Sequence, residues 1–171
     1  MPDTSVNSEI SLDAIDLALL SHLQADASPS NLALAEAVHV SPPTCLRRVK
    51  RLHEAGLIER QVAILSADRL GPLLGHGLTA LAEVTLDRQD AQTLDAFEAH
   101  AVADAAVQQC YRVSPGPDFC LVLVMADMPA YHAVAQRLFT AHAQVRNVRV
   151  FFSVKRAKFE TTLPIPLNLN R

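Results

Sequence analysis

The stretch from His39 to Arg60, HVSPPTCLRRVKRLHEAGLIER, restricts what this chain can fold into more than any other. Ser41 has the chemistry of a helix N-cap, and Pro42 suits the first helical position, where no backbone N–H is required. Pro43 falls within the same turn, whose N–H groups lack intrahelical partners in any case. At about 3.6 residues per turn, Cys45, Val49 and Leu52 share one face, which is expected to pack inward. Pro43, Thr44, Arg47, Lys50 and Arg51 fall on the opposite side, with Arg48 on the flank. Gly56 stands where a helix stop wants φ > 0. Between Ala37 and His53 there are four Arg or Lys and no Asp or Glu, in a chain whose net charge is −3. Taken alone, such a helix is a solvated charged face; its neighbours decide whether it is more.

What precedes the basic helix is helical too. A first helix is expected to start near Asp13, which can cap it, with Asp16 near the positive end of the dipole. Leu12, Ile15, Leu19 and Leu23 repeat at helical spacing and mark its buried face. The turn chemistry of Asp26–Asn31 ends it. A short second helix follows from about Asn31 to Val38, with Leu32, Ala35 and Val38 turned inward, and only His39, Val40 and Ser41 separate it from the basic helix. Two short helices joined by so tight a turn, the second one basic outside, form a helix-turn-helix. After Gly56, Ile58, Val62 and Ile64 are spaced by even steps, as strands are, and are expected to add a wing.

Composition sets the outer bounds. A chain of 171 residues, half of them apolar, can bury one large core or two small ones. The slightly acidic balance excludes a packer coated in base but leaves a local DNA-binding face open. Cys45, Cys110 and Cys120 are odd in number and widely spaced, which indicates neither a disulfide framework nor a zinc site and suits the reducing cytoplasm. The start lacks the basic and apolar regions of a signal peptide, and the longest apolar run, Phe119–Ala126, is too short to cross a bilayer, so no membrane role is expected.

The second half changes character. Residues 1–11 are expected to be disordered, 12–61 to form the winged helix-turn-helix domain, and 62–77, which holds three of the five glycines, to be a hinge. From Leu78 the chain reads strand, helix, strand, strand, helix, strand up to residue 157, followed by a tail at 158–171. That order is a ferredoxin-like βαββαβ sandwich, and the fold class is α+β. Two helices cover one face of such a sheet and leave the other bare. Phe119–Met125 is nonetheless apolar on both faces, with Leu121 and Leu123 read as exposed positions, and Phe151 adds an aromatic to the bare side. The economical cover is a second copy of the same sheet about a two-fold axis, a homodimer that sets two helix-turn-helix units side by side.

The turn Ser114-Pro115-Gly116-Pro117 leading to Asp118 fixes its backbone tightly, with a glycine between two prolines. Exposed amides there can receive a carboxylate and Asp118 an ammonium; a plain β-turn with Asp118 bonding its own backbone is the other reading. Catalysis finds no support: none of the seven histidines sits in a spaced cluster, there is no phosphate loop, and no cofactor is called for.

The stretches LDAIDLALLSHLQADA, SNLALAEAVHVSPPTCLRRVKRLHEAGLIER and VSPGPDFCL together resemble the Lrp/AsnC (feast/famine) family of transcriptional regulators, over roughly Leu12 to Phe159. The resemblance implies a sequence-specific double-stranded DNA-binding protein. Its C-terminal domain, of the ACT-like or RAM kind, would assemble dimers into tetramers or octamers and bind an amino-acid effector where those domains meet. Carried over by position, Ser41, Thr44, Arg47, Arg48, Lys50 and Arg51 would serve DNA, joined by the exposed Pro43; Asp118, with Gly116 by displacement, would serve the effector. Two departures stand out. His39 replaces the glycine usual in the helix-turn-helix turn, and Pro115 stands where the ligand turn usually has glycine. The displaced glycine keeps an effector-independent architectural regulator as the alternative.

Overall fold

The computed structural model describes residues 11–75 and 77–166. The chain divides into two compact units, one running up to Ala63 and taking in the tail from Lys158, the other spanning Ile64–Ala157. The expected disordered N-terminus lies outside the described residues apart from Ser11.

The first unit contains α1 (Ala14–Ala25), α2 (Asn31–Ala37) and α3 (Pro42–Glu54). Asp13 caps α1 as expected, and Asp16 completes a capping box: the Asp16 N–H donates to Asp13 Oδ1 at 2.9 Å and the Asp13 N–H to Asp16 Oδ2 at 3.2 Å. Leu19, Leu34, Ala35, Val38, Cys45 and Leu52 form the core, with Leu12, Ile15, Leu23 and Val49 packed against it. Leu32, expected inside, is 57% exposed, and Leu34 takes its place. In a helix of two turns the apolar stripe has no second repeat to fix its phase, and docking decides it. The Asn31 amide donating to the Pro42 carbonyl at 2.9 Å is part of that docking.

Helices α2 and α3 end in the same way. His39 takes φ of 56°, its N–H donates to the Glu36 carbonyl and the Val40 N–H to the Ala35 carbonyl. Gly56 takes φ of 69°, its N–H donates to His53 and the Leu57 N–H to Leu52. Both are Schellman caps, one built on glycine and one on a histidine held left-handed. Residues 57–66 form no strand, so the expected wing is absent among the described residues. Val62 and Ile64 are exposed, without the partner strand that even-spaced apolar residues need. The tail instead returns to α1. The Gln24 side-chain amide donates to the Leu163 carbonyl at 3.0 Å and accepts the Leu163 N–H at 2.8 Å.

The second unit opens with a helix, α4 (Ala67–Leu74), inside the segment read as a hinge; Gly75 caps it at φ of 68°. There follow β1 (Leu78–Leu86), α5 (Ala91–Val102), β2 (Val107–Arg112), β3 (Phe119–Met125), α6 (Met128–Ala135) with a π-helical extension at Gln136–Thr140, and β4 (Val145–Phe152). The strands form one antiparallel sheet in the order β2-β3-β1-β4, the ferredoxin-like arrangement. Ala80, Ala82, Val84 and Leu86 of β1 point to the helices, and Phe97 of α5 meets Phe119 of β3 at 4.9 Å between ring centroids. Full burial of a Phe or Leu side chain is worth about 1.5–3 kcal/mol, so this layer dominates the unit's stability.

The reading of β3 needs correction. Leu121 and Leu123 are 1% and 0% exposed, in the core under the helices. The bare face presents Val122 and Val124 instead, and strand register aligns Gln109, Val122, Leu81 and Phe151 in one row across it. Leu81 and Phe151 there are 48% and 46% exposed. The π-helical turn after α6 carries Leu138 and Phe139, both buried in the core.

Candidate functional site

Helix α3 carries the basic face. Ser41 stands at its N-cap position, but its hydroxyl makes no cap bond and pairs at 2.8 Å with the Thr44 hydroxyl. Pro42 and Pro43 fill the first two helical positions and remove two of the N–H groups a cap would serve. Pro43, Arg47, Lys50 and Arg51 are exposed and Thr44 half-buried, while Cys45 and Leu52 are fully buried on the opposite side. Burial pushes the Cys45 thiol up, which fits a packing role. Leu46, which the sequence reading did not single out, is 61% exposed on the same outer face. Its place one residue before Arg47 was the available signal.

Arg48 does not belong to that face. Its guanidinium Nη1 lies 2.8 Å from Asp13 Oδ2 and 2.9 Å from Asp16 Oδ1, and the side chain is only 21% exposed. These contacts raise the Arg48 pKa, the Asp13 bond first. Asp13 is held below the usual carboxylate range by the Asp16 N–H and then by Arg48. The charge that the resemblance carried over to DNA joins α3 to α1. Arg51 is intermediate: its Nη2 bonds Asp16, yet the side chain remains 47% exposed. Lys50 reaches Glu54 at 3.6 Å in full solvent, a contact of little energetic weight. The two aspartates, Arg47, Arg48 and Arg51 line a shallow cleft of about 260 Å³.

The second candidate site is the loop between β2 and β3. Gly116 takes φ of 123° with open space where a Cβ would stand. Asp118 is buried and fixes the loop to β1: its N–H donates to the Val84 carbonyl at 2.9 Å, and its Oδ2 accepts the Leu86 N–H at 2.7 Å. The plain-turn reading had Asp118 bonding its own backbone; the bond goes to a neighbouring strand. It is available because the β1–β3 ladder ends at Val84 and Phe119, so the Leu86 N–H, on the same side of β1 as the Val84 carbonyl, has no strand partner and is left for Asp118. Gln89, Leu94, Arg112, Val113, Gly116 and Asp118 border a cleft of about 530 Å³ beside this loop. Arg112 is tied to α5 through Asp95 at 2.7 Å and Glu98 at 2.8 Å.

A basic helix presented by a helix-turn-helix, on a chain with a second, ferredoxin-like unit, defines the class: a DNA-binding transcriptional regulator. The family model for the AsnC-type helix-turn-helix domain matches residues 12–53, and that for the Lrp/AsnC ligand binding domain matches residues 79–163. The leucine-responsive regulatory protein of Rhizobium meliloti is 36% identical over 149 residues, covering 87% of this chain and 93% of its own. Among solved structures, an AsnC family transcriptional regulator from Agrobacterium tumefaciens superposes with a TM-score of 0.79 at 28% identity, covering 90% of this chain and 97% of its own. A transcriptional regulator from Neisseria meningitidis, solved as a complex with L-methionine, gives 0.79 at 29% identity with the same coverage. The chain belongs to the Lrp/AsnC family of transcriptional regulators.

Proposed function

We propose that this regulator binds double-stranded DNA with α3 in the major groove, as a homo-oligomer, and answers to an amino-acid effector held at the loop before β3. The observation that carries the DNA assignment is the separation of faces on α3: Cys45 and Leu52 are fully buried, and Pro43, Arg47, Lys50 and Arg51 stand outside. Pro43, Thr44 and Arg47, at the N-terminal end, would meet base edges, with Ser41 beside them; Lys50 and Arg51 would meet phosphates. Arg48, held by two aspartates, is left out of the set.

The bare sheet face around Leu81, Val122 and Phe151 is the surface on which a second copy would pack, since apolar side chains so exposed are stabilised by burial. Pairing two copies there would supply two helix-turn-helix units for two half-sites. The neighbouring structure solved with L-methionine supports an amino acid as effector. Loop amides around Gly116 would receive its carboxylate, and the Asp118 oxygen not bonded to Leu86 its ammonium. The effector-independent reading draws on the same residue, because the Leu86 bond already gives the Asp118 carboxylate a structural job.

Two measurements test the proposal. Selection from a random duplex pool should return one two-fold-related site, and melting in the presence of each amino acid should raise the second unit's Tm with one or a few of them. An unselective pool removes the sequence-specific reading; a flat response to all amino acids leaves the architectural regulator.

A further inference from the structure

The capping box at the start of α1 does more than close a helix. Closing it requires only one Asp16 oxygen on the Asp13 N–H, from a side chain that normally lies in solvent. Here the Asp16 side chain is 1% exposed, and each of its oxygens also takes a guanidinium from α3: Oδ1 that of Arg48, Oδ2 that of Arg51. The two arginines end differently. Arg48 is recessed, with Asp13 as a second carboxylate, whereas Arg51 gives one nitrogen to Asp16 and keeps a side chain 47% exposed. A guanidinium has five N–H donors in a rigid fork, so one edge can be held by the protein while another faces outward.

We propose that Asp16 is a positioning residue for DNA recognition, fixing the Arg51 guanidinium in the orientation in which its free edge meets a phosphate. This rests on the reading of α3 as the DNA-contacting helix. A long side chain held before binding loses less freedom when it binds, and the gain appears as affinity. The alternative is that Asp16 is merely a negative charge near a polyanion. The two views predict opposite signs: removing that charge would strengthen binding on electrostatic grounds and weaken it if Asp16 holds Arg51.

The test is operator binding, at several salt concentrations, by the full chain, Asp16→Asn, Arg51→Ala and the double variant, with melting to confirm the fold. Asp16→Asn is expected to weaken operator binding by about three- to tenfold despite the gain in positive charge, the range for one side chain left to be ordered on binding. The same replacement in the Arg51→Ala background should have no effect. Tighter binding by Asp16→Asn, or an equal loss in both backgrounds, overturns the proposal. If Asp16→Asn does not fold, Arg51→Lys replaces it: this keeps the charge but not the fork, so parental affinity and salt slope in that variant would refute the positioning role. Asp13→Asn removes the same unit of charge but keeps an oxygen for the Asp16 N–H and leaves the Asp16–Arg51 pair in place, so it should bind at least as tightly as the parent; a loss equal to that of Asp16→Asn would refute the positioning role. A parent chain that binds operator while Asp16 and Arg51 act additively refutes only this inference; a parent indifferent to Arg51 and Arg47 replacement refutes the assignment of α3 as well.

Discussion

Replacing Asp118 by alanine would remove the acceptor that holds the end of β1. The Leu86 N–H donates to Asp118 Oδ2 at 2.7 Å, and the two residues are 1% and 9% exposed, so water cannot readily take the acceptor's place. A hydrogen bond to a charged group is worth about 1.5–3 kcal/mol, and the orphaned N–H makes the upper part of that range the better figure. For a domain of roughly a hundred residues, each kcal/mol moves Tm by about 4–8 °C, so the second unit should melt on the order of 10 °C lower or more. Asp118→Asn keeps a carbonyl oxygen for the same N–H and should cost about half as much or less. Urea unfolding with the two units fitted separately reads both values. An alanine variant within about 0.5 kcal/mol of the parent, or an asparagine variant as damaged as the alanine one, would refute the reasoning. The asparagine variant also separates scaffold from charge, and it is expected to lose effector affinity while keeping its fold.

Three further outcomes follow from the structure. His39→Gly should leave the first unit as stable as the parent or more so, and His39→Val should cost about 1–2 kcal/mol, because φ of 56° suits glycine and not a β-branched residue; equal urea midpoints for all three would contradict this. Leu81→Asp should give a folded monomer by light scattering and Leu121→Asp an unfolded second unit, since one lies on the bare face and the other in the core; a monomeric parent would remove the dimer. Burial first, and then neighbouring His100, lowers the His142 pKa in the folded state, so below about pH 6.5 the unfolded chain binds more protons. Stability should therefore fall as pH drops from about 6.5 toward the folded pKa, and His142→Gln should flatten that fall; a parent equally stable at pH 5.5 and 7.5 would contradict it.

Local signals were legible in the sequence, and signals that depend on a distant partner were not. Pro42, Gly56 and the apolar spacing of Cys45, Val49 and Leu52 define α3 without help from elsewhere. The alternation in β1 is legible because one face is covered and the other is not. Arg48 looked like a DNA-contacting residue because Asp13 and Asp16, its partners, lie more than thirty residues earlier. In β3 both faces are apolar, so no alternation tells Leu121 from Val122, and only the register with β1 decides. Asp118 was found as a special residue at the end of a rigid turn. Its bond to Leu86 was not, because it depends on where the β1–β3 ladder ends, which leaves no mark on the local sequence.

The most direct measurement of the central claim is base preference at the selected site for the parent and Arg47→Ala. If α3 lies in the major groove with Arg47 on a base edge, the variant should lose about 1–3 kcal/mol at one position of each half-site and become tolerant of other bases there. Its non-specific affinity should change far less, because Lys50 and Arg51 would still meet phosphates. An Arg47→Ala variant that ranks all sites as the parent does, with the same footprint, would contradict the assignment of α3 as the helix that reads DNA.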